Sequence, residues 1–169
     1  MSITLDALSA LPEAAFVDQL GEIFEHSPWV AEAVYPMRPF GSIEALHAAM
    51  AAAVARAGVA RQLALLNAHP ELSQRGTLTA ASTAEQGSKG LNRLDADEAA
   101  QFTALNQEYR ARFGFPFIIA VRGQKDRAAI LSALRARLAH APAEELDLAL
   151  GEVAKIGRFR LQDLIAEAE

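Results

Sequence analysis

Apolar side chains recur every three to four residues along most of this chain, the spacing that lines one face of a helix. Pro12 stands where a first helical residue would, and Phe16, Leu20 and Ile23 follow at that interval. Ser27-Pro28 predicts a second start, a capping hydroxyl followed by a ring with φ already set. That short helix carries Trp29, Val30 and Val34 and stops before Pro36, and Pro36 and Pro39 bracket an extended loop. Ser42 caps the next helix, with Leu46, Met50 and Val54 on one stripe and Gly58 at its end. Another runs through Leu63 and Leu66 into Asn67, Ala68 and His69, where Pro70 breaks the pattern. From Glu71 to Ala81 the chain reads as polar and irregular, with Ser73, Gln74, Arg75, Gly76, Thr77 and Thr79. Ser82 to Leu91 reads as a short helix. Asp95 with Glu98 opens one whose face shows Phe102, Leu105, Tyr109 and Phe113 before Gly114. Asp126 opens a helix with Ile130, Leu134 and Leu138, and Pro142 a long last one from Leu146 to Leu164.

One segment departs from this period. Phe117 to Val121 is strand-like, yet no second segment offers it a partner, so it reads as a buried extended stretch at about 115–123 between helices. Its backbone N–H and C=O groups must then find partners other than a ladder. Two readings stay open: a core-filling connector bonded to nearby side chains, or a wall whose donors and acceptors face a ligand. The expected fold is all-α, a compact single-domain helical bundle over residues 1–169.

Composition narrows the function. With 51% hydrophobic and 22% charged residues, the 169-residue chain can build a core without disulfide or metal staples. Sixteen basic against twenty-one acidic residues give a net charge of −5, which argues against a nucleic-acid footprint. The absence of cysteine removes thiolate nucleophiles, iron–sulfur clusters and cysteine-ligated zinc together. No basic region precedes an apolar core near the start, and no apolar run approaches a membrane span. The expected compartment is the cytoplasm.

Of the four histidines, none pair at i, i+4, so a helix-borne zinc site is not expected. His26, His47 and His140 read as surface or packing residues. His69 differs: it ends a helix, is fixed by Pro70 and precedes the polar stretch. An imidazole there can serve as general acid or base, since its ordinary pKa of about 6.5 lies near working pH. Ser82-Thr83-Ala84-Glu85-Gln86 is the second candidate. Ser82-x-x-Glu85 fits a capping box, and the same helix start could offer donors, a carboxylate and an amide to a small polar ligand. Arg122, and Arg158 or Arg160 in the last helix, could present cations to a carboxylate.

These places occur in a familiar order. His69-Pro70-Glu71-Leu72, then Leu78-Thr79 with Ser82-x-x-Glu85-Gln86 and Gly90-Leu91, then Leu105-Asn106 with Tyr109-x-x-x-Phe113-Gly114 running through Phe115-Pro116-Phe117-Ile118-Ile119-Ala120-Val121-Arg122-Gly123, resemble the OHCU decarboxylase family. Glu152-Val153-x-Lys155-Ile156 with Arg160-Leu161 is similar to its last helix, and Glu71 stands where the family more often shows Asp. The resemblance spans residues from about Ile3 to Ile165.

It implies an all-α homodimer that decarboxylates 2-oxo-4-hydroxy-4-carboxy-5-ureidoimidazoline (OHCU) to (S)-allantoin in urate breakdown, without cofactor or metal; charge and the short apolar runs add the expectation of no nucleic-acid and no membrane partner. It implies His69 as the catalytic acid, and the mechanism these residues can support sets Glu85 beside it in the catalytic set. Pro70, Ser82, Thr83, Ala84, Glu85, Gln86, Phe117, Ile118, Ile119, Ala120 and Val121 are implied as substrate lining, and the same mechanism brings Arg160 to the substrate carboxylate. The competing classes are a helical binding module without catalysis and hydrolysis of the preceding intermediate, 5-hydroxyisourate.

Overall fold

In a computed structural model, which describes residues 2–72 and 80–166, the chain is all-α. The motif positions Ser73, Gln74, Arg75, Gly76, Thr77, Leu78 and Thr79 lie outside the described residues. Two compact units emerge, one from residues 1–68 with 154–169 and one from His69–Val153.

The first unit holds α1 (Leu5–Ala10), α2 (Glu13–Leu20), α3 (Trp29–Val34), α4 (Ile43–Arg56), α5 (Val59–Ala68) and the second part of α9 (Pro142–Leu164). The expected stripes are what it buries: Phe16 and Leu20 from α2, Val30 and Val34 from α3, Leu46 and Met50 from α4. Helix α3 packs on both α2 and α4. The Ser42 hydroxyl accepts from the Ala45 N–H at 3.1 Å, and Gly58 turns with φ +80°, so α4 is capped as expected. Gly157 in α9 packs closely, since a Cβ there would lie 3.2 Å from the Phe24 ring, which would have to give by a few tenths of an ångström.

Three local expectations need correction in this unit. Ser27 does not cap α3; its hydroxyl donates to the Glu25 carbonyl at 2.9 Å, and Pro28 already has helical φ and ψ. Pro36 lies in a 3-10 turn over Tyr35–Met37 rather than an extended loop, since a first-turn residue needs no N–H partner. Helix α1 was not expected: its six residues bury only Leu8, too few to show a period, though Thr4 caps it.

The second unit holds α6 (Ala80–Ser88), α7 (Ala96–Phe113), a buried irregular stretch ending in a 3-10 turn at Val121–Gly123, α8 (Arg127–Arg137) and the start of α9. Asp95 and Glu98 form a full capping box on α7, which ends on Gly114 at φ +80°. Asp126 caps α8 through the Ala129 N–H at 2.8 Å. Helices α7 and α8 pack together, and α6 packs on the 3-10 turn. Among the described residues no named strand forms; only an isolated parallel bridge joins Ile3 to Ile165.

Candidate active site

His69 follows the last residue of α5 and is buried, with 7% of its surface exposed. The two residues after Pro70 are held from α7. Asn106 donates from Nδ2 to the Leu72 carbonyl at 3.0 Å, and one turn later Arg110 pairs with the Glu71 carboxylate at 2.8 Å. Glu71 is therefore engaged by a structural ion pair.

Helix α6 begins at Ala80, two residues ahead of expectation, so Ser82 lies inside it. The Ser82-x-x-Glu85 capping box is thereby corrected, because Ser82 is already the third residue of the helix. Ser82 and Gln86, four residues apart, form its buried side, while Thr83 and Ala84 are exposed and Glu85 is half-buried. Glu85 also accepts the Ser88 hydroxyl at its carbonyl, at 2.7 Å.

Phe117, Ile118, Ile119, Ala120 and Val121 are all buried and precede or enter the turn against which α6 packs. Two of the backbone groups are claimed by side chains. Arg137 donates from Nη1 to the Ile118 carbonyl at 2.6 Å, and the Ala120 N–H donates to Glu152 Oε2 at 3.0 Å. Among the described residues, no hydrogen bond reaches the N–H or the carbonyl of Ile119 between them.

Beneath this stretch lies a charged cluster that sequence reasoning missed. Glu145, with no exposed surface, accepts from Arg137 Nε and from the Tyr109 hydroxyl, each at 2.5 Å. His140 Nδ1 lies 3.0 Å from its other oxygen, and the Arg137 guanidinium sits 4.6 Å from the centre of the Phe117 ring. Burial and the bond to Glu145 push the Tyr109 phenol far above its ordinary pKa, so it stays a donor at any working pH. Arg137 at a helix end and Glu145 in a first helical turn look like ordinary solvated charges. The one available signal was Tyr109, whose hydroxyl needs a partner if the ring is buried.

Residues from His69 to Val121 in the candidate set all belong to the second unit. Arg160 belongs to the first, where Nη1 pairs with Glu25 at 2.7 Å and donates to the Glu22 carbonyl at 3.0 Å. Among the described residues no group of three His, Cys, Asp or Glu could hold a metal, and no single helix is long and apolar enough to cross a membrane.

Residues 9–162 match a family model described as OHCU decarboxylase. The 2-oxo-4-hydroxy-4-carboxy-5-ureidoimidazoline decarboxylase of Haloferax volcanii is 44% identical over 161 residues, covering 95% of each chain. The mouse protein of the same name is 44% identical over 154 residues, covering 89% of this chain and 86% of its own. The uric acid degradation bifunctional protein of Bacillus subtilis is 43% identical across 97% of this chain, which spans 33% of that protein. Among solved structures, an (S)-allantoin synthase superposes with a TM-score of 0.78 at 36% identity, covering 96% of this chain and 54% of that one. An OHCU decarboxylase crystallised with (S)-allantoin shares the fold, with a TM-score of 0.72 at 23% identity, over 88% of this chain and 99% of the other.

Proposed function

The chain belongs to the OHCU decarboxylase family, and from that premise we propose that it converts OHCU to (S)-allantoin with His69 as proton donor. The observation that carries this reading is a relative of that name, nearly half identical and aligned over almost the full length of both chains. The buried imidazole at a proline-locked helix end, in the same unit as α6 and the 117–121 stretch, supports the assignment of roles.

The substrate makes the chemistry possible without an external electron sink. Its carboxylate sits on a hydroxyl-bearing ring carbon next to a carbon–nitrogen double bond. When the bond to the carboxylate breaks, CO₂ leaves and the electron pair moves toward that double bond, whose nitrogen takes up a proton. The product of this step is an enol; its ureido-bearing carbon takes a proton while the hydroxyl gives one up to water and becomes the ring carbonyl, which completes allantoin. The protein must hold the carboxylate out of the ring plane and deliver the last proton to one face. His69 delivers it and so sets the S configuration. Glu85 bonds ring or ureido N–H groups, and Ser82 and Gln86 read the polar edge. Pro70, Thr83, Ala84 and the stretch from Phe117 to Val121 complete the lining and exclude water. Arg160 is assigned to the substrate carboxylate in this scheme from its place in the family pattern alone. A cytoplasmic homodimer is the working form the family resemblance supports.

The test uses OHCU generated in place from urate by a uricase and a hydroxyisourate hydrolase, with optical activity followed over time. The protein should speed CO₂ loss and give S product, whereas a binding module would leave the rate unchanged. A hydrolase of the preceding intermediate would act only when the added hydrolase is omitted. His69→Asn should keep the melting temperature and lose about a hundredfold or more in kcat; wild-type kcat in that variant would reject the acid role.

A further inference from the structure

A buried backbone amide pair normally has partners, and one that lacks them is a place where a ligand's polar atoms fit. Ile119 is such a pair: it is 5% exposed and, among the described residues, neither its N–H nor its carbonyl is hydrogen-bonded. Its two neighbours are the opposite. The Ile118 carbonyl is held by Arg137 and the Ala120 N–H by Glu152. Arg137 is in turn seated on Glu145. Glu145 and Glu152 are seven residues apart in α9, which puts them two turns apart on one face of the helix. One side of α9 therefore governs the extended stretch at two points, one on each side of Ile119.

We propose that Glu152 is a positioning residue for the reaction. By taking the Ala120 N–H, opposite the hold of Arg137 on Ile118, it keeps the chain extended and presents the Ile119 N–H and carbonyl to the substrate. The matching ligand chemistry is a cis-amide or urea edge, which offers an acceptor and a donor side by side, as the ring and ureido groups of OHCU and allantoin do. Glu152 does not touch the substrate; it acts through the backbone. A carboxylate accepts the Ala120 N–H, and a glutamine amide oxygen at the same place can accept it too, whereas alanine cannot. This inference rests on the reading that residues 117–121 line the substrate.

The experiment compares wild type, Glu152→Ala and Glu152→Gln in steady-state turnover of freshly generated OHCU. In parallel, the Ile119 amide resonance of the ¹⁵N-labelled protein is titrated with (S)-allantoin. Alanine suits a helix interior, so the Glu152→Ala variant is expected to fold. In wild type the Ile119 amide should shift on addition of allantoin. Glu152→Ala should raise KM about tenfold, with a smaller change in kcat, and weaken the allantoin-induced shift. Glu152→Gln should return KM to within about threefold of wild type. The proposal is overturned by wild-type KM in Glu152→Ala, whatever its melting temperature. It is equally overturned by a Glu152→Gln variant as impaired as Glu152→Ala, since the charge and not the bond to Ala120 would then matter. Should the wild-type Ile119 amide ignore allantoin while turnover is normal, the lining assignment itself fails, and the two failures are told apart.

Discussion

Glu85 sits in the second turn of α6 with its side chain half-buried and Ser82 a turn earlier on the buried side. Had Ser82 been a cap, replacing Glu85 would have cost stability of about 1 kcal/mol through lost capping bonds. Because the helix starts at Ala80, that cost is absent, and alanine is itself the better helix former. Glu85→Ala should lose roughly ten- to a hundredfold in kcat/KM, the worth of a hydrogen bond to a carboxylate, while still melting as a cooperatively folded protein. Thermal melts beside the OHCU assay check this, and a lowered melting temperature with intact turnover would make Glu85 structural. Individual residues were legible in the sequence where chemistry and position coincide. His69 stood out through Pro70 and the change to polar sequence after it. Glu145 and Arg137 were not legible, because a charge on a helix looks the same whether its partner is water or a buried group; Glu152 stands in the family pattern of the last helix, but its bond to the Ala120 N–H spans 32 residues. Asn106 belonged to the recognised motif, but its bond to the Leu72 carbonyl spans 34 residues, and no local pattern encodes that.

Elements were easier to read than contacts, and start signals with a matching partner were the most reliable. Asp95 followed by Glu98, Ser42 before an apolar stripe and Asp126 all cap the helices they were expected to cap. Ser82 with Glu85 has the same spacing as Asp95 with Glu98, yet only the latter is a cap. What separates them is upstream: Ala80 and Ala81 can extend a helix backward from Ser82, whereas the residues before Asp95 are not helical. Asp95→Ala should accordingly cost about 1 kcal/mol and lower the melting temperature by roughly 2–4 °C. It should leave KM for OHCU unchanged, since Asp95 is exposed at the start of α7. A denaturation midpoint equal to wild type would mean that the capping box is not worth its bonds. The extended stretch shows the same logic at larger size. A strand-like run without a second run to pair with was legible as buried and irregular, and the need for side-chain partners followed from backbone bookkeeping. Which side chains supply them depends on how α8 and α9 pack, which periodicity does not report.

At the scale of the whole molecule, the described residues of each compact unit include a buried arginine–carboxylate pair, Arg160 with Glu25 in the first and Arg137 with Glu145 in the second. Such pairs cost desolvation and are poor devices for stability alone, since apolar replacements of similar volume are often neutral. Removing one partner is different, because it strands a buried charge. Glu145→Ala should destabilise the protein by roughly 3–5 kcal/mol, a drop on the order of 10 °C in melting temperature. The double replacement of Arg137 by Met and Glu145 by Leu removes both charges and should recover part of that loss, the rest going to the Tyr109 hydroxyl, which loses its acceptor. It does not restore the donor that the guanidinium supplies to the Ile118 carbonyl. If the pair exists to hold the extended stretch for the substrate, the double variant should melt well above Glu145→Ala and still show a raised KM for OHCU. If the pair is a packing device, melting temperature and KM should recover together. Calorimetry and turnover on the same two variants separate these outcomes.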